Sequence, residues 1–386
     1  MIRILHFVLL FSTFGISAQS FEIGRTTITF IDASRGNRSI ASEIYYPANS
    51  AGINVPVASS TSESFPVLSF GHGFLMSWDA YQNIWEALVP QGYVMIFPKT
   101  EGGASPSHLE FGKDLAFVIS QMALLNLNSS SIFYNRISDK SALMGHSMGG
   151  GAAFLAVQFS NEIDAILTLA AAETNPSAIA AAGNLTIPAL IIAGTNDCVT
   201  PTNTNQLPMY NALNSECKSY ISITGGSHCQ MANYNLFCSI GESTCSPSPA
   251  ISRTEQHQLL NPSMLYWLDY QLKSNCSAGN SFQQLLTYSV GISTINNCEY
   301  CALNILELNE SELFKAYPNP FQNEIRISAF PDKLLMIECY NMHAELVYKE
   351  TISAFTKINT EDWASGIYFI KCTDQKHKVS VFKLVK

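Results

Sequence analysis

The chain has 386 residues, of which 47% are hydrophobic, so it can bury a full core and exceeds the usual size of one domain. Its 21 basic and 30 acidic residues give a formal net charge of -9, which excludes the basic surface that nucleic-acid binding requires. Only 13% of the residues are charged, so uncharged polar side chains must cover much of the surface, as is common in extracellular proteins.

The first 18 residues have the pattern of a secretory signal peptide. Arg3 precedes a short apolar run, and the small residues Ser17 and Ala18 end the segment. We predict cleavage near Ala18. The alternative, a membrane anchor, requires a longer apolar run and a basic cluster after it. No other segment is apolar enough to span a membrane, so we expect a soluble mature protein.

Apolar runs of strand length alternate with longer helical patterns between about residues 40 and 272, which is typical of βαβ units on a mostly parallel sheet. The predicted strands are 66–70, 94–98, 141–144, 165–169, 188–192 and 220–223. The predicted helices are 78–89, 111–127, 149–160, 206–213 and 262–272. The pattern predicts a doubly wound α/β fold for residues 19–302.

Residues 145–149 read Gly-His-Ser-Met-Gly and lie between a predicted strand and an Ala-rich helix. This G-x-S-x-G pattern in that context indicates the nucleophile elbow of an α/β-hydrolase, with Ser147 as nucleophile. A serine hydroxyl needs an imidazole to take its proton and a carboxylate to orient that imidazole.

Asp197 and His228 follow Ser147 in the order acid, base, and each follows a predicted strand. Ligands bind at this end of the strands in open α/β sheets, so we predict the triad Ser147, Asp197 and His228. Asp164 and Glu173 are the alternative acids, while His146 and His257 are the alternative bases. None of these four has the expected placement after a strand.

The tetrahedral intermediate of acyl transfer needs preformed backbone donors for its negative oxygen. We predict the Met148 amide as one donor and the Phe74 amide, in the loop after strand 66–70, as the other. Phe74, Met148 and Thr174 are the predicted substrate contacts. His72 is expected to pack under the loop. No long insertion between Ser147 and Asp197 indicates a lid, so we expect an open cleft.

Ten cysteines suit an exported, oxidised protein. Eight of them lie between residues 198 and 301, and sequence alone leaves their pairing open. The disulfide candidates are Cys198, Cys229, Cys238, Cys245, Cys276 and Cys298. We expect a Cys198–Cys229 bridge, because each follows a triad residue. Cys298 and Cys301 could form half of a zinc site, but no second half is present, so no metal is predicted.

The chain changes character after Cys301. Residues 303–312 form an acidic connector, and residues 313–386 alternate apolar and polar positions, which predicts a small β-sandwich. The opening Tyr317-Pro318-Asn319-Pro320, the segment 365–369 and the basic end resemble the C-terminal sorting domain of the type IX secretion system. That resemblance implies passage across the outer membrane to the surface or the medium, with the secretion machinery as partner. A carbohydrate-binding or adhesive module is the alternative.

The segments 71–74, 145–151, 194–201 and 225–228 together resemble the chlorophyllase, dienelactone-hydrolase-related and cutinase-like branch of α/β-hydrolases. Secreted polyester hydrolases, including those acting on poly(ethylene terephthalate), are similar over roughly residues 40–275. The resemblance implies the same five site residues and a disulfide at Cys229. It departs where those enzymes carry an aromatic clamp, because this chain has His146 and the segment 171–175 there.

The expected function is hydrolysis of carboxylic esters through an acyl-enzyme, by a monomer that needs no cofactor. Polyester, lipid and small esters all remain as substrates. The alternatives are an acyltransferase or peptidase with the same machinery, and a surface-binding protein with an inert hydrolase fold. The absence of a propeller domain argues against the peptidase.

Overall fold

The computed structural model describes residues 20–59, 64–301, 314–329, 334–341, 345–375 and 379–386. The chain divides into two compact units, Met1–Tyr300 and Cys301–Lys386. The predicted signal peptide and connector lie outside the described residues. No helix in the described ranges is long and apolar enough to cross a membrane.

A ten-stranded sheet forms the centre of the first unit. Its strands are β1 (Glu22–Asp32), β2 (Arg38–Ala48), β3 (Gly52–Ile53), β4 (Phe65–Gly71), β5 (Val94–Pro98), β6 (Ile137–His146), β7 (Ala165–Leu169), β8 (Ala189–Gly194), β9 (Lys218–Ile223) and β10 (Ile292–Asn296). They lie in the order β10-β9-β8-β7-β6-β4-β5-β2-β1-β3. The six strands from β9 to β5 are parallel, while β10, β2 and β1 join them antiparallel.

Helices cover both faces of this sheet. They are α1 (Gln82–Leu88), α2 (His108–Leu127), α3 (Met148–Ala156), α4 (Ala178–Ala182), α5 (Gln206–Ala212), α6 (Leu236–Glu242), α7 (Arg253–Lys273) and α8 (Cys276–Tyr288). Successive strand residues point to opposite faces, so Val67 packs in the core with α2 and α3, whereas Leu68 packs in the core with α1 and α7. This two-sided burial explains the continuous apolar runs, and the predicted α/β-hydrolase fold is confirmed.

The helix predicted from Pro262 begins nine residues earlier than expected, at Arg253. Ser252 and Glu255 form a capping box at its start, in which each side chain accepts from the backbone N–H of the other residue. Pro262 lies inside the helix, so its position does not mark the helix start.

The second unit has two antiparallel sheets around one core. The three-stranded sheet has the order β11-β12-β15, and the four-stranded sheet has the order β14-β13-β16-β17. The strands are β11 (Phe314–Tyr317), β12 (Glu324–Ala329), β13 (Leu335–Asn341), β14 (Leu346–Ile352), β15 (Phe355–Asn359), β16 (Ile367–Asp374) and β17 (Val379–Val385). Side chains of both sheets share one apolar cluster, so the predicted β-sandwich is confirmed.

Candidate active site

Ser147 lies in a sharp turn between the end of β6 and the start of α3. Its backbone has φ 55° and ψ -121°, a region that non-glycine residues rarely adopt. Such strain persists only where the surrounding structure enforces it. The predicted strand–turn–helix context of the G-x-S-x-G pattern is present.

Glycines on both sides of Ser147 permit this turn. A Cβ on Gly145 would lie 2.4 Å from the Gly149 carbonyl carbon, and a Cβ on Gly149 would lie 2.1 Å from the Gly71 carbonyl oxygen. The end of β4 therefore lies directly against the first turn of α3. This contact brings the loop after β4 next to the turn that holds Ser147.

His228 and Asp197 form a buried pair in the loops after β9 and β8. His228 Nδ1 lies 2.8 Å from Asp197 Oδ2, and both side chains are almost inaccessible to solvent. Thr200 supports the carboxylate, because its backbone N–H donates to Asp197 Oδ1 at 2.7 Å and its Oγ1 lies 2.8 Å from Oδ2. The carboxylate is thus held on two sides and directed at the imidazole.

The turn of Ser147 and the His228 loop lie side by side. The ring of His146, the residue before Ser147, packs with its centroid 4.6 Å from that of His228. His146 Nε2 also lies 3.2 Å from the His228 carbonyl oxygen. Ser147 and His228 are both buried. The structure therefore brings the loops of the predicted nucleophile, base and acid together at the carboxyl ends of β6, β9 and β8.

The two predicted oxyanion donors belong to the start of α3 and to the loop after β4. Met148 is the first residue of α3, where a backbone N–H has no acceptor within the helix. Phe74 follows Gly73 in the turn after β4, and 46% of its surface is exposed. Thr174, the third predicted substrate contact, donates its hydroxyl to the Pro176 carbonyl at 2.6 Å and has no free proton to offer a ligand.

The alternative acids are engaged elsewhere. Asp164 directly precedes β7, at the amino end of the strand and away from the site, and pairs with Lys140 at 2.7 Å. Glu173 accepts the Ile179 N–H of α4 at 3.0 Å. Neither contacts a histidine among the described contacts.

His72 and His257, the two other histidines considered in the sequence, lie away from the Asp197 carboxylate in the described contacts. His72 is buried under the loop, with its ring nitrogens each 2.9 Å from the backbone carbonyl oxygens of Gly73 and Thr100. His257 lies on α7, where its Nε2 is 3.2 Å from Asn83 Nδ2. Burial and the nearby Arg253 lower the pKa of His257.

The expected Cys198–Cys229 bridge is wrong. Cys198 bonds Cys245, and Cys229 bonds Cys238. The reason is that segment 235–248 packs against both loops and supplies the partner cysteines; for example, the Ser248 carbonyl accepts from Asn196 at 2.8 Å. Cys217 bonds Cys298, and Cys276 and Cys301 are disulfide-bonded as well. No described group of three or more potential ligands could hold a metal ion.

Apolar side chains are exposed on the loops after β4 and β8 and in the segment that includes α6. They are Phe74, Val199, Tyr234, Leu236, Phe237 and Ile240. A cavity of about 230 Å³ lies between the loop after β4 and the segment before α6, lined among others by Leu75, Trp78, Lys99 and Phe237. Two larger cavities, of about 500 and 370 Å³, lie at the amino ends of the central strands, away from Ser147.

Two contributors to the site were not predicted. Thr200 orients Asp197, and the Tyr81 hydroxyl lies 3.0 Å from His146 Nδ1. The proximity of Thr200 to Asp197 in sequence was a usable signal. No sequence signal points to Tyr81, because it lies 65 residues before its partner His146, in an ordinary helical pattern.

Comparisons with known proteins agree with this geometry. Residues 16–245 match the family model described as PET hydrolase-like, and residues 315–386 match that of a secretion system C-terminal sorting domain. Both resemblances predicted from the sequence are confirmed. The sorting domain marks the protein for export to the cell surface or the medium.

Curated relatives match a shorter region. "Cutinase 1" of Thermobifida cellulosilytica and "Cutinase" of Thermobifida fusca (strain YX) are each 31% identical over 106 residues, which is 27% of this chain. "Cutinase est1" of Thermobifida alba is 31% identical over 103 residues, 26% of this chain. These matches span only 39%, 34% and 33% of the relatives' own lengths. The family match, by contrast, covers more than half of the sequence, so the chain belongs to the PET hydrolase-like family.

Proposed function

We propose that the protein is a secreted serine hydrolase that cleaves carboxylic esters, with Ser147 as nucleophile, His228 as base and Asp197 as acid. One observation carries the proposal. The buried His228–Asp197 pair, at 2.8 Å, lies beside the strained turn that holds Ser147. Family membership supports an ester as substrate.

The first half of the reaction acylates the enzyme. His228 Nε2 takes the Ser147 proton while Ser147 Oγ attacks the ester carbonyl carbon. Asp197 holds Nδ1–H and stabilises the imidazolium that forms. When the tetrahedral intermediate collapses, the C–O bond to the alcohol breaks, and His228 returns the proton to the leaving oxygen. Water then attacks the acyl-serine by the same route and releases the acid. No cofactor is needed.

Backbone amides stabilise the negative oxygen of each tetrahedral intermediate. We assign this role to Met148 and Phe74, whose loops are packed together through Gly149 and Gly71. Losing one such donor typically raises the barrier by about 2.7 to 4 kcal/mol. The glycines of the turn therefore serve the reaction as well as the fold.

The substrate proposed is a hydrophobic ester, such as a polyester of the cutin or poly(ethylene terephthalate) type or a lipid ester. Several exposed side chains on the loops of the site and around α6 are apolar, Phe74 and Phe237 among them, and Phe237 also lines the cavity beside the loop after β4. Phe74, Met148 and Thr174 are the proposed contacts for the acyl part. His146 is fully buried, so it offers no aromatic surface to a polymer chain.

The remaining assignments concern export and assembly. We propose that residues 1–18 are a signal peptide, residues 19–302 the hydrolase, residues 303–312 a connector and residues 313–386 the sorting domain. All proposed site residues come from one hydrolase unit, so the protein is proposed to act as a monomer.

The test is hydrolysis of p-nitrophenyl esters from acetate to palmitate by the wild-type protein and by Ser147→Ala. We expect activity in the wild type, loss of at least about 1,000-fold in the variant, and labelling of Ser147 by an active-site phosphonate. The chain-length profile ranks short, polyester-like and lipid substrates. A wild type that is folded but neither active nor labelled would overturn the proposal and favour an inert binding protein.

A further inference from the structure

A chain of buried hydrogen bonds joins the loop after β4 to the His228 loop. The Gly73 N–H donates to the Tyr81 hydroxyl at 2.7 Å. That hydroxyl lies 3.0 Å from His146 Nδ1, and His146 Nε2 lies 3.2 Å from the His228 carbonyl oxygen. Tyr81 and His146 are both completely buried.

The groups at the two ends, a donor at Gly73 and an acceptor at His228, determine the direction of every hydrogen bond in the chain. The Gly73 amide can only donate, so Tyr81 accepts there. The His228 carbonyl can only accept, so His146 must carry its proton on Nε2. In a neutral imidazole Nδ1 is then the acceptor, and the Tyr81 O–H donates to it. Each group uses one proton once, so the chain is fully satisfied with His146 neutral.

The surroundings favour this neutral form. Burial lowers the pKa of His146 well below its ordinary value, and the nearby His228 lowers it further. Met76 Sδ, 3.3 Å from the Tyr81 hydroxyl, is a weaker alternative acceptor. The neutral form also suits the reaction, because a charged His146 would repel the imidazolium that forms on His228, one ring contact away at 4.6 Å.

Gly73 fits the same chain from the other side. A Cβ at Gly73 would lie 3.2 Å from both His146 Nδ1 and the Tyr81 hydroxyl, and 2.8 Å from Met76 Sδ. A side chain at this position would crowd Tyr81 and His146, so glycine allows the loop its close approach to both residues. Tyr81 and His146 therefore fix the position of the loop that carries the Phe74 amide.

We propose that Tyr81 and His146 are positioning residues that hold the Phe74 amide donor and the His228 base in register with each other. The proposal rests on the proposed function, since it assigns both groups to one transition state. Neither residue contacts the substrate; they act through the two loops. Misplacement of reacting groups by about 1 Å can lower the rate as much as 100-fold.

The first test is Tyr81→Phe, with Tyr93→Phe as matched control. Tyr93 is equally buried, and its hydroxyl donates to Asp269 at 2.7 Å. It directly precedes β5, at the amino end of the strand and away from the site. For a short p-nitrophenyl ester we expect Tyr81→Phe to lower kcat at least about tenfold with KM within about twofold. Tyr93→Phe should lower the melting temperature but leave kcat unchanged.

The second test compares His146→Gln, His146→Leu and the double variant Tyr81→Phe/His146→Leu. Glutamine keeps an N–H for the His228 carbonyl, so it should retain more activity than leucine. Because both single changes break one chain, the double variant should be no slower than the slower single variant, and the losses should not multiply. Circular dichroism and a melting curve confirm that each variant is folded.

The outcomes separate the two proposals. If the wild type is active and labelled at Ser147 while Tyr81→Phe keeps the kcat of Tyr93→Phe, the positioning role is overturned and the proposed function stands. Multiplying losses in the double variant overturn it too. An inactive, unlabelled wild type overturns the proposed function and this inference with it.

Discussion

Ser147 is held in its strained conformation by neighbours that have no side chain. Gly149 lies so close to Gly71 that the turn of Ser147, the start of α3 and the end of β4 are packed directly against one another. The strain at φ 55° is therefore balanced by contacts that any Cβ would break. The sequence pattern predicted this turn because its glycine requirement is local.

Gly149→Ala should destabilise the protein by about 3 kcal/mol or more, because the new methyl group meets backbone atoms that cannot move aside. Gly103→Ala is the matched control, since its Cβ would meet nothing within 4 Å and its φ is not positive. Urea unfolding measures both. Equal midpoints for the two variants would contradict the close contact.

His146 should make stability depend on pH. Its pKa is depressed in the folded protein by burial and by His228, so below the unfolded value of about 6.5 the unfolded chain binds more protons. The free energy of unfolding should then fall by up to about 1.4 kcal/mol per pH unit as the pH drops below that value. His257 contributes with the same sign.

In His146→Gln this part of the pH dependence should disappear, while the part from His257 remains. Chemical unfolding of the wild type and the variant between pH 7.5 and 5, at about half-unit steps, measures the difference in slope. Parallel curves would show that His146 does not titrate differently on unfolding.

At the scale of elements, three of the disulfides fall into two groups. Cys229–Cys238 and Cys198–Cys245 hold the segment around α6 against the loops of His228 and Asp197. Cys217–Cys298 joins the start of β9 to the chain just after β10, at the opposite edge of the sheet. The first group fixes the loops of the site, and the second fixes β9 and β10 to each other.

Removing the two groups should therefore have different effects. Cys217→Ser/Cys298→Ser opens a long loop, spanning 81 residues, and should cost about 4.5 kcal/mol of stability with little change in kcat. Cys229→Ser/Cys238→Ser opens a loop of only 9 residues and should cost about 2.5 kcal/mol, but it should lower kcat severalfold because it frees the loop of the base. Melting curves and ester kinetics on both variants test this contrast. The reverse order of effects would contradict it.

The central strands β4 to β9 were predictable because each is an apolar run buried on both faces. The strands β1 and β2 were not: β1 alternates exposed and buried residues, and β2 has the polar residues Ser42 and Glu43 among its buried positions, which interrupts the apolar run. At the site, the order of Ser147, Asp197 and His228 follows from the fold. The cysteine pairing and the Tyr81–His146 contact depend on how distant segments pack, which no local pattern records.

At the scale of the whole molecule, each unit buries its own core. The hydrolase unit has an apolar cluster on each face of its sheet, and the sandwich has a separate one. The described part of the sandwich also keeps its free cysteines, Cys339 and Cys372, buried. The two units therefore each contain the packing that a folded domain needs.

A chain that ends at residue 302 should consequently hydrolyse p-nitrophenyl esters with the kcat of the full-length protein, but it should no longer leave the cell. Activity in cell and medium fractions of an expressing host with the secretion system measures both effects. Loss of activity in the purified short chain would show that the hydrolase unit depends on the sandwich.

The bridges beside His228 and Asp197 have a consequence for when activity begins. Disulfides of this kind persist in oxidising compartments and not in the reducing cytosol. While the chain is in the cytosol, the segment around α6 therefore has no covalent tie to the loops of His228 and Asp197. On the proposed function, the enzyme should therefore reach its full kcat only after the chain has entered an oxidising compartment.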